Sequence, residues 1–423
     1  MTAADQQSVH RAIDAIWKIE SPKLIAALVR FARDVSVAED LAQDALLAAL
    51  ESWPASGIPD KPGAWLMATA KRRAVDHWRH QRLVERKHEA IEHEQADSEA
   101  AMPDFESAFE TNVGDDLLRL MFIACHPVLS MEARVALTLR LLGGLTTDEI
   151  ARAFLVPEPT IAQRIVRAKR ALANADAAFE MPDSDALHER IDSVLEVIYL
   201  VFNEGYSATK GDDWLRPALC EDALRLGRVL AGLAPDRSDV HALVALMEIQ
   251  ASRFNARTGP KGEPILLQDQ NRAVWDHLLI RRGLAALDRA RRYADAPSAY
   301  LVQAEIAACH ARAATPDQTD WQRIAMLYEL LGRIAPSPVI ELNRAVAVCM
   351  AAGPEPALAM VDTLREEPAL KKYHLLPSVR GDFLFRLERF DEARAEFQRA
   401  AELAGNARER EFLLGRVSAC DNR

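Results

Sequence analysis

Residues Leu145–Leu172, LTTDEIARAFLVPEPTIAQRIVRAKRAL, decide how the chain is read. Two short helical patterns are joined there by a turn marked with prolines. Thr146 and Glu149 have the spacing of a capping box, in which each side chain serves an amide that the first turn leaves open. Ile150, Ala153 and Phe154 then share one apolar face. Pro157 and Pro159 end this helix and suit the first turn of the next, where a missing amide hydrogen costs little. The second helix turns Ile161, Ile165 and Ala168 inward. Its other face carries Thr160, Gln163, Arg164, Arg167 and Arg170, with no acid between Thr160 and Arg170. A helix-turn-helix lays such a face in the major groove, where Arg and Gln bond base edges and phosphates. A helical hairpin with a solvated basic face has the same local pattern, so the upstream sequence carries the decision.

At 423 residues the chain is long enough for about three domains. It is rich in Ala, Leu, Arg and Glu, and helical periodicity dominates, which makes it all-α. A net charge of −11 argues against a protein that coats nucleic acid, although clustered cations still set the local potential. Cys125, Cys220, Cys309, Cys349 and Cys420 lie far apart and are odd in number, as expected of reduced, buried thiols. The N-terminus is polar and no apolar run reaches membrane length, so no membrane partner and a cytoplasmic location are expected.

Ile13–Phe31 reads as one amphipathic helix with Pro22 as a kink point. Ala38–Trp53, AEDLAQDALLAALESW, reads as a second, with Glu39, Asp40 and Asp44 near the favourable end of its dipole. Leu41, Ala45, Ala48 and Ala49 form a thin apolar seam, and Asp40, Gln43, Asp44 and Leu47 share an exposed flank. A Pro/Gly loop over Pro54–Pro62 leads into Pro62–Leu83, where Trp65, Leu66, Ala70, Ala74 and Trp78 recur at helical spacing among Lys71, Arg72, Arg73, Arg79 and Arg82. Cations for phosphates and flat rings for unstacked bases are what melted DNA requires; Trp65 equally suits the core. Glu89–Glu110 holds many acids and no Lys or Arg and reads as a flexible acidic linker.

The AEDLAQDALLAAL helix, the WLMATAKRRAVDHWR helix, the acidic linker and the capped helix-turn-helix together resemble a bacterial sigma factor of the extracytoplasmic-function group. The resemblance implies that Asp40, Leu41, Gln43, Asp44 and Leu47 grip core RNA polymerase at the clamp helices of its β′ subunit. It also implies that Trp65, Lys71, Arg72, Arg73, Asp76 and Arg79 recognise and open the −10 promoter element. Thr160, Gln163, Arg164, Arg167 and Arg170 would read the −35 element, with the β flap as a further polymerase contact. Two positions depart from the family. Arg72 replaces its usual Asn, so base preference is not carried over there. Leu155 replaces a turn glycine, and a left-handed residue would cost ~1 kcal/mol, so a reshaped turn is expected.

More than half of the chain follows this pattern. Leu187–Val201 reads as an apolar helix ending in FNEGYSATKGDD, with Asn203 and Gly205 as its stop and Tyr206 packed back. Asn203, Glu204, Tyr206 and Asp212 form a polar cluster, read as structural because no nucleophile–base pair or metal spacing accompanies it. Helix pairs follow at Ala218–Ala231 with Val240–Phe254 and at Trp275–Tyr293 with Ser298–Ala314. Ser337–Leu364 and Pro377–Leu403 are helix–turn–helix units, the second carrying the small/large alternation of a tetratricopeptide repeat at Leu387, Phe390, Ala393, Phe397 and Ala400. An irregular helical bundle is the generic alternative. FNEGYSATKGDD, ILLQDQNRAVWDHLLIRRGL, TDWQRIAMLYELL and SPVIELNRAVAV also resemble the C-terminal region of one sigma subgroup. That resemblance implies that a fused domain controls the factor through contact with the sigma domains, and that the repeats hold a protein or peptide partner.

The expected organisation is a sigma region 2-like domain over 1–88, an acidic linker over 89–112, a region 4-like domain over 113–178, a helical extension over 183–314 and repeats over 315–423. No cofactor is expected. A conventional repressor or activator with a helical-repeat sensor would leave Ala38–Leu50 and Trp65–Arg79 without a role. An enzyme in the C-terminal half lacks a phosphate loop, a triad order or paired carboxylates, and His241, His277, His310 and His374 stand isolated. His77, His80, His88 and His93 lack cysteine partners for zinc.

Overall fold

The computed structural model describes residues 3–76, 113–154, 156–175, 184–207, 215–260, 263–405 and 407–421. Trp78, Arg79, Arg82, the four clustered histidines, the acidic linker, Leu155 and Asp212 lie outside the described residues. Among those described, every regular element is helical, and an isolated bridge pairs Thr258 with Pro264. The chain divides into two compact units, Met1–Val197 and Ile198–Arg423.

In the first unit, α1 (Ala3–Ala32) and α2 (Val35–Ser56) pack along each other. The reversal between them is set by Arg33, which adopts φ +52°, and by Asp34. The Asp34 carboxylate accepts from the amides of Ser36 (2.6 Å) and Val37 (3.0 Å) and so caps α2. The α2 helix runs through Pro54 to Ser56 rather than stopping at Trp53, and ends at Gly57, whose φ of +83° suits a residue without a Cβ. Residues 62–76 form α3. Four shorter helices follow: α4 (Val113–Ala124), α5 (Met131–Leu141), α6 (Thr147–Phe154) and α7 (Glu158–Asn174). Leu24 and Leu28 of α1, Trp53 of α2, Leu66 of α3, Leu120 of α4 and Leu137 of α5 are almost wholly buried.

The chain passes into the second unit within α8 (Ser184–Tyr206). There, Gly205 does not stop the helix. A Cβ at Gly205 would lie 2.7 Å from Cys220 Sγ, 2.8 Å from Cys220 N and 2.9 Å from the Arg216 carbonyl, so the glycine is set by a close approach of the next helix, α9 (Pro217–Leu233). After it comes α10 (Ser238–Ala251), buried at every position from Val240 to Ile249 and therefore apolar nearly all round.

The unit continues through α11 (His277–Arg292), α12 (Ala299–Arg312), α13 (Trp321–Ile334), α14 (Pro338–Ala352), α15 (Pro354–Thr363), α16 (Leu375–Arg386), α17 (Phe390–Leu403) and α18 (Ala407–Asp421). From α12 onward each helix packs on the next in sequence. One apolar cluster runs from Leu342 to Cys420 and includes Ala393, Phe397 and Ala400; the ring of Phe397 lies 2.9 Å from where a Cβ on Gly381 would sit.

All five cysteines are free and buried. Burial pushes the thiols of Cys125 and Cys220 up to about 12, so both are protonated at neutral pH.

We expect Gly205→Ala to destabilise the second unit by about 1–3 kcal/mol, because backbone atoms of Arg216 and Cys220 have to move. Urea denaturation followed by far-UV circular dichroism measures this, with Gly232→Ala, where a Cβ meets open space, as the neutral control.

Candidate nucleic-acid and polymerase interface

The capping box forms as its spacing predicts. The Thr146 amide donates to Glu149 Oε2 (2.8 Å), and the Glu149 amide donates to Thr146 Oγ1 (3.1 Å). Glu149 also pairs with Lys18 of α1 at 3.4 Å. Burial raises the Glu149 carboxyl, but the Thr146 bonds and the Lys18 charge outweigh it and hold the group below its ordinary value. After the turn, α7 buries Ile161, Ile165, Ala168 and Leu172. Gln163, Arg167 and Arg170 are exposed, while Thr160 and Arg164 are half-buried at the margin of the same face.

On α2, Asp40, Asp44 and Leu47 are exposed, and Leu47 keeps 56% of its surface in solvent. A leucine held that far out is unusual among the apolar residues of this helix, and it stands beside two acids. The other two expected contact residues are placed differently. Leu41 is 4% exposed and belongs to the core, because its position coincides with the Ala38–Ala45 seam. Gln43 is half-buried and donates to Glu39 Oε1 at 3.0 Å.

On α3, Arg72, Arg73 and Asp76 are exposed and Lys71 is half-buried. Trp65 is half-buried and meets Trp53 edge to face, with ring centroids 5.3 Å apart. It therefore contributes to packing through one part of its ring. Arg79 lies outside the described residues.

Glu39 has a role that the sequence reading missed. It is 5% exposed and is met by Arg140 Nε of α5 and Lys169 Nζ of α7, each at 2.5 Å. Burial raises its carboxyl, but the two cations and their hydrogen bonds outweigh burial and hold it below its ordinary value of 4.5. The sequence signal was weak: Glu39 lies three residues before buried Ala42, on the edge of the seam. Beside it is a cavity of about 330 Å³ lined by Trp17, Lys18, Gln43, Arg140, Thr146 and Glu149, among others. The helix carrying the expected polymerase contacts is thus tied to the helix carrying the expected duplex contacts.

Comparison with known proteins assigns these segments. The chain matches Sigma-70 region 2 over residues 17–84 and Sigma-70, region 4 over residues 119–172. A family of unknown function (DUF6596) matches residues 190–291. An uncharacterized protein of Rhizobium meliloti is 42% identical over 402 residues, spanning 95% of this chain and 94% of that protein. The RNA polymerase sigma-H factor of Pseudomonas aeruginosa is 28% identical over 172 residues, spanning 40% of this chain and 89% of that protein. No solved structure matches.

Replacing Glu39 by Gln leaves Arg140 and Lys169 facing a neutral group, and we expect a loss of about 3 kcal/mol of stability in the first unit. The sign of the pH dependence follows from the lowered carboxyl. The stabilisation is complete above pH 4.5 and is lost as pH falls through the depressed folded-state value. Denaturant midpoints of the wild type and Glu39→Gln, measured across this range, should converge at the acid end.

Proposed function

Because the chain belongs to the same family as the Rhizobium meliloti protein and carries the sigma-70 region 2 and region 4 domains of a sigma factor, we propose that it acts as an extracytoplasmic-function type of factor, joining core RNA polymerase in the cytoplasm and directing it to promoters. The observation that carries this reading is the separation of exposed faces. Asp40, Asp44 and Leu47 stand out from α2, Arg72 and Arg73 from α3, and Gln163, Arg167 and Arg170 from α7. The first two groups lie in the region 2 segment and the third in the region 4 segment.

Each face suits one contact. An acidic flank with an exposed leucine fits a basic helical surface on the polymerase, the clamp helices of β′ in this reading. Arg72 and Arg73 neutralise phosphates along the −10 element. Gln163, Arg167 and Arg170 are positioned on one side of a helix whose opposite face is packed into the core, as a duplex reader requires. The chain supplies the address and the polymerase supplies the chemistry. At a net charge of −11, duplex binding by the chain alone is weak, and recognition depends on the polymerase.

The region beyond residue 183 regulates this activity in the proposed scheme. The Rhizobium meliloti relative shares the extension along nearly its whole length. The helix pairs α14–α15 and α16–α17, packed in sequence around one cluster, support a tetratricopeptide-like stack that holds a partner.

In vitro transcription with bacterial core polymerase tests the reading. The full chain should yield promoter-specific transcripts, and a chain ending at Ala175 should yield a different level. Arg167→Ala or Arg170→Ala should each weaken −35-dependent output by about 1–3 kcal/mol. Asp44→Arg should reduce binding to core without changing duplex affinity. A duplex footprint made by the chain without polymerase, with no transcripts in its presence, would replace the sigma reading with that of a conventional repressor or activator. Equal output from the full and shortened chains would remove the regulatory part.

A further inference from the structure

The second unit contains a group of cations, Arg257 buried and Arg253 and Arg272 half-buried, that promoter recognition leaves unused. Arg253 follows α10, Arg257 lies four residues later, and Arg272 precedes α11. Arg253 Nη2 donates to the Tyr206 hydroxyl at 2.7 Å. The Arg257 guanidinium lies 3.6 Å from the centroid of the Tyr206 ring and donates to the Tyr206 carbonyl. Arg272 Nη1 donates to the carbonyls of His310 (2.8 Å) and Ala313 (2.6 Å), and its Nη2 donates to Thr319 Oγ1 (2.8 Å).

Arg253 and Arg272 spend these hydrogen bonds on neutral oxygens, and neither has an ion-pair partner among the described residues. The Nε atoms of both are buried without a hydrogen-bond partner, as is His310 Nδ1. The cations also act on their neighbours. Burial, followed by the charges of Arg253 and Arg272, pushes His310 down to about 3 and leaves its ring neutral. Buried polar atoms of a cation left without a partner are costly, and such arrangements are concentrated at binding sites.

Arg253 and His310 both line a cavity of about 460 Å³ formed by α8, α10, α12, α13 and α14. His310 is 8% exposed and its ring meets Trp321 edge to face at 5.1 Å. Gln303, whose Oε1 accepts from the Tyr199 hydroxyl at 2.8 Å, adds an amide to the wall. No Asp or Glu among the described residues is in the lining, and Leu246, Ile306 and Leu331 make part of it apolar. The size is that of a small-molecule site, with a few polar groups set in an apolar wall.

We propose that this cavity binds a small amphipathic organic acid, its anionic head on Arg253 beside His310 and its apolar body against α12 and α13. The guanidinium is a planar fork suited to a carboxylate or a phosphate monoester. The site stands apart from the promoter reading, since binding to it needs neither polymerase nor DNA.

The test uses the full chain in saturation-transfer NMR and calorimetry. The probes are benzoate, indole-3-acetate and phenyl phosphate, with benzamide and indole-3-acetamide as neutral counterparts. The acids should bind at about 1 mM or below, and the amides about tenfold more weakly, the scale of one charge-assisted hydrogen bond. Carboxylates binding before the phosphate, or the reverse, identifies the head group, and either order supports the site. Arg253→Gln should lose about tenfold or more in acid affinity. Asn343 is exposed at the mouth, so Asn343→Phe should fold normally, as read by circular dichroism, and block the cavity. Acids and amides binding equally, no acid binding, or full binding by folded Asn343→Phe would each overturn the proposal.

Discussion

One buried carboxylate holds the N-terminal unit in its observed arrangement. Glu39 lies on α2 and is met by a guanidinium from α5 and an ammonium from α7. Removing a carboxylate from water is costly, and that cost is offset only when donors converge on it with good geometry. Here Gln43 Nε2 and Arg140 Nε donate to Oε1, and Lys169 Nζ makes an ion pair with Oε2. An apolar contact between the same helices would tolerate sliding; a carboxylate held by a cation from each of two other helices does not. The Glu39 cluster therefore specifies a mutual placement of α2, α5 and α7 beyond what their apolar faces determine.

This constraint explains how α7 divides its basic residues. Ile161, Ile165, Ala168 and Leu172 occupy the inward stripe, and Lys169 extends from its edge to Glu39. One cation of the helix is thus used for folding. Gln163, Arg167 and Arg170 remain in solvent, on a helix whose roll about its axis is fixed by that inward stripe. The capping box at Thr146 and Glu149 acts in the same direction. Glu149 accepts from both the amide of Thr146, which precedes α6, and Lys18 of α1, which fixes the first helix of the motif before the reader begins. A phosphate or base edge then meets side chains whose backbone is already ordered, and less entropy is lost on binding.

Local signals made much of this legible in the sequence, and non-local ones did not. Capping boxes, proline positions and 3.6-residue periodicity depend on neighbours within a few residues, so the boundaries of α6 and α7 and the burial of Ile161 and Ile165 follow from the sequence alone. The exposure of Asp40, Asp44 and Leu47 is equally a matter of helical phase. Leu41 was read from periodicity as part of the apolar seam, and it is buried there; its place among the polymerase contacts came from the resemblance alone. Gly205 resembles a helix stop in sequence, yet its conformational freedom is not what the structure uses; contact with Cys220 and Arg216 determines it. Glu39 and its cations lie 101 and 130 positions apart, and no periodic pattern links them. His310 looked isolated for the same reason: Arg253 and Arg272 reach it through the fold.

The cavity beside His310 also bears on how the second unit is built. Its wall takes Tyr199, Leu246, Gln250 and Arg253 from the segment matched by the family of unknown function, and Gln303, His310, Tyr328 and Asn343 from helices beyond it. Neither group encloses a volume by itself, so the cavity exists only when the later helices stack on α10. Because α10 is buried on all sides, it has little freedom to move without opening its neighbours. A charge arriving at Arg253 would therefore act on the packing of α10 against α12 and, through Tyr206, on the end of α8. An occupant that prefers one packing of these helices shifts their equilibrium by its differential affinity and no more. In the proposed site the Arg253 guanidinium would make that differential larger for an anion than for a neutral molecule of the same shape.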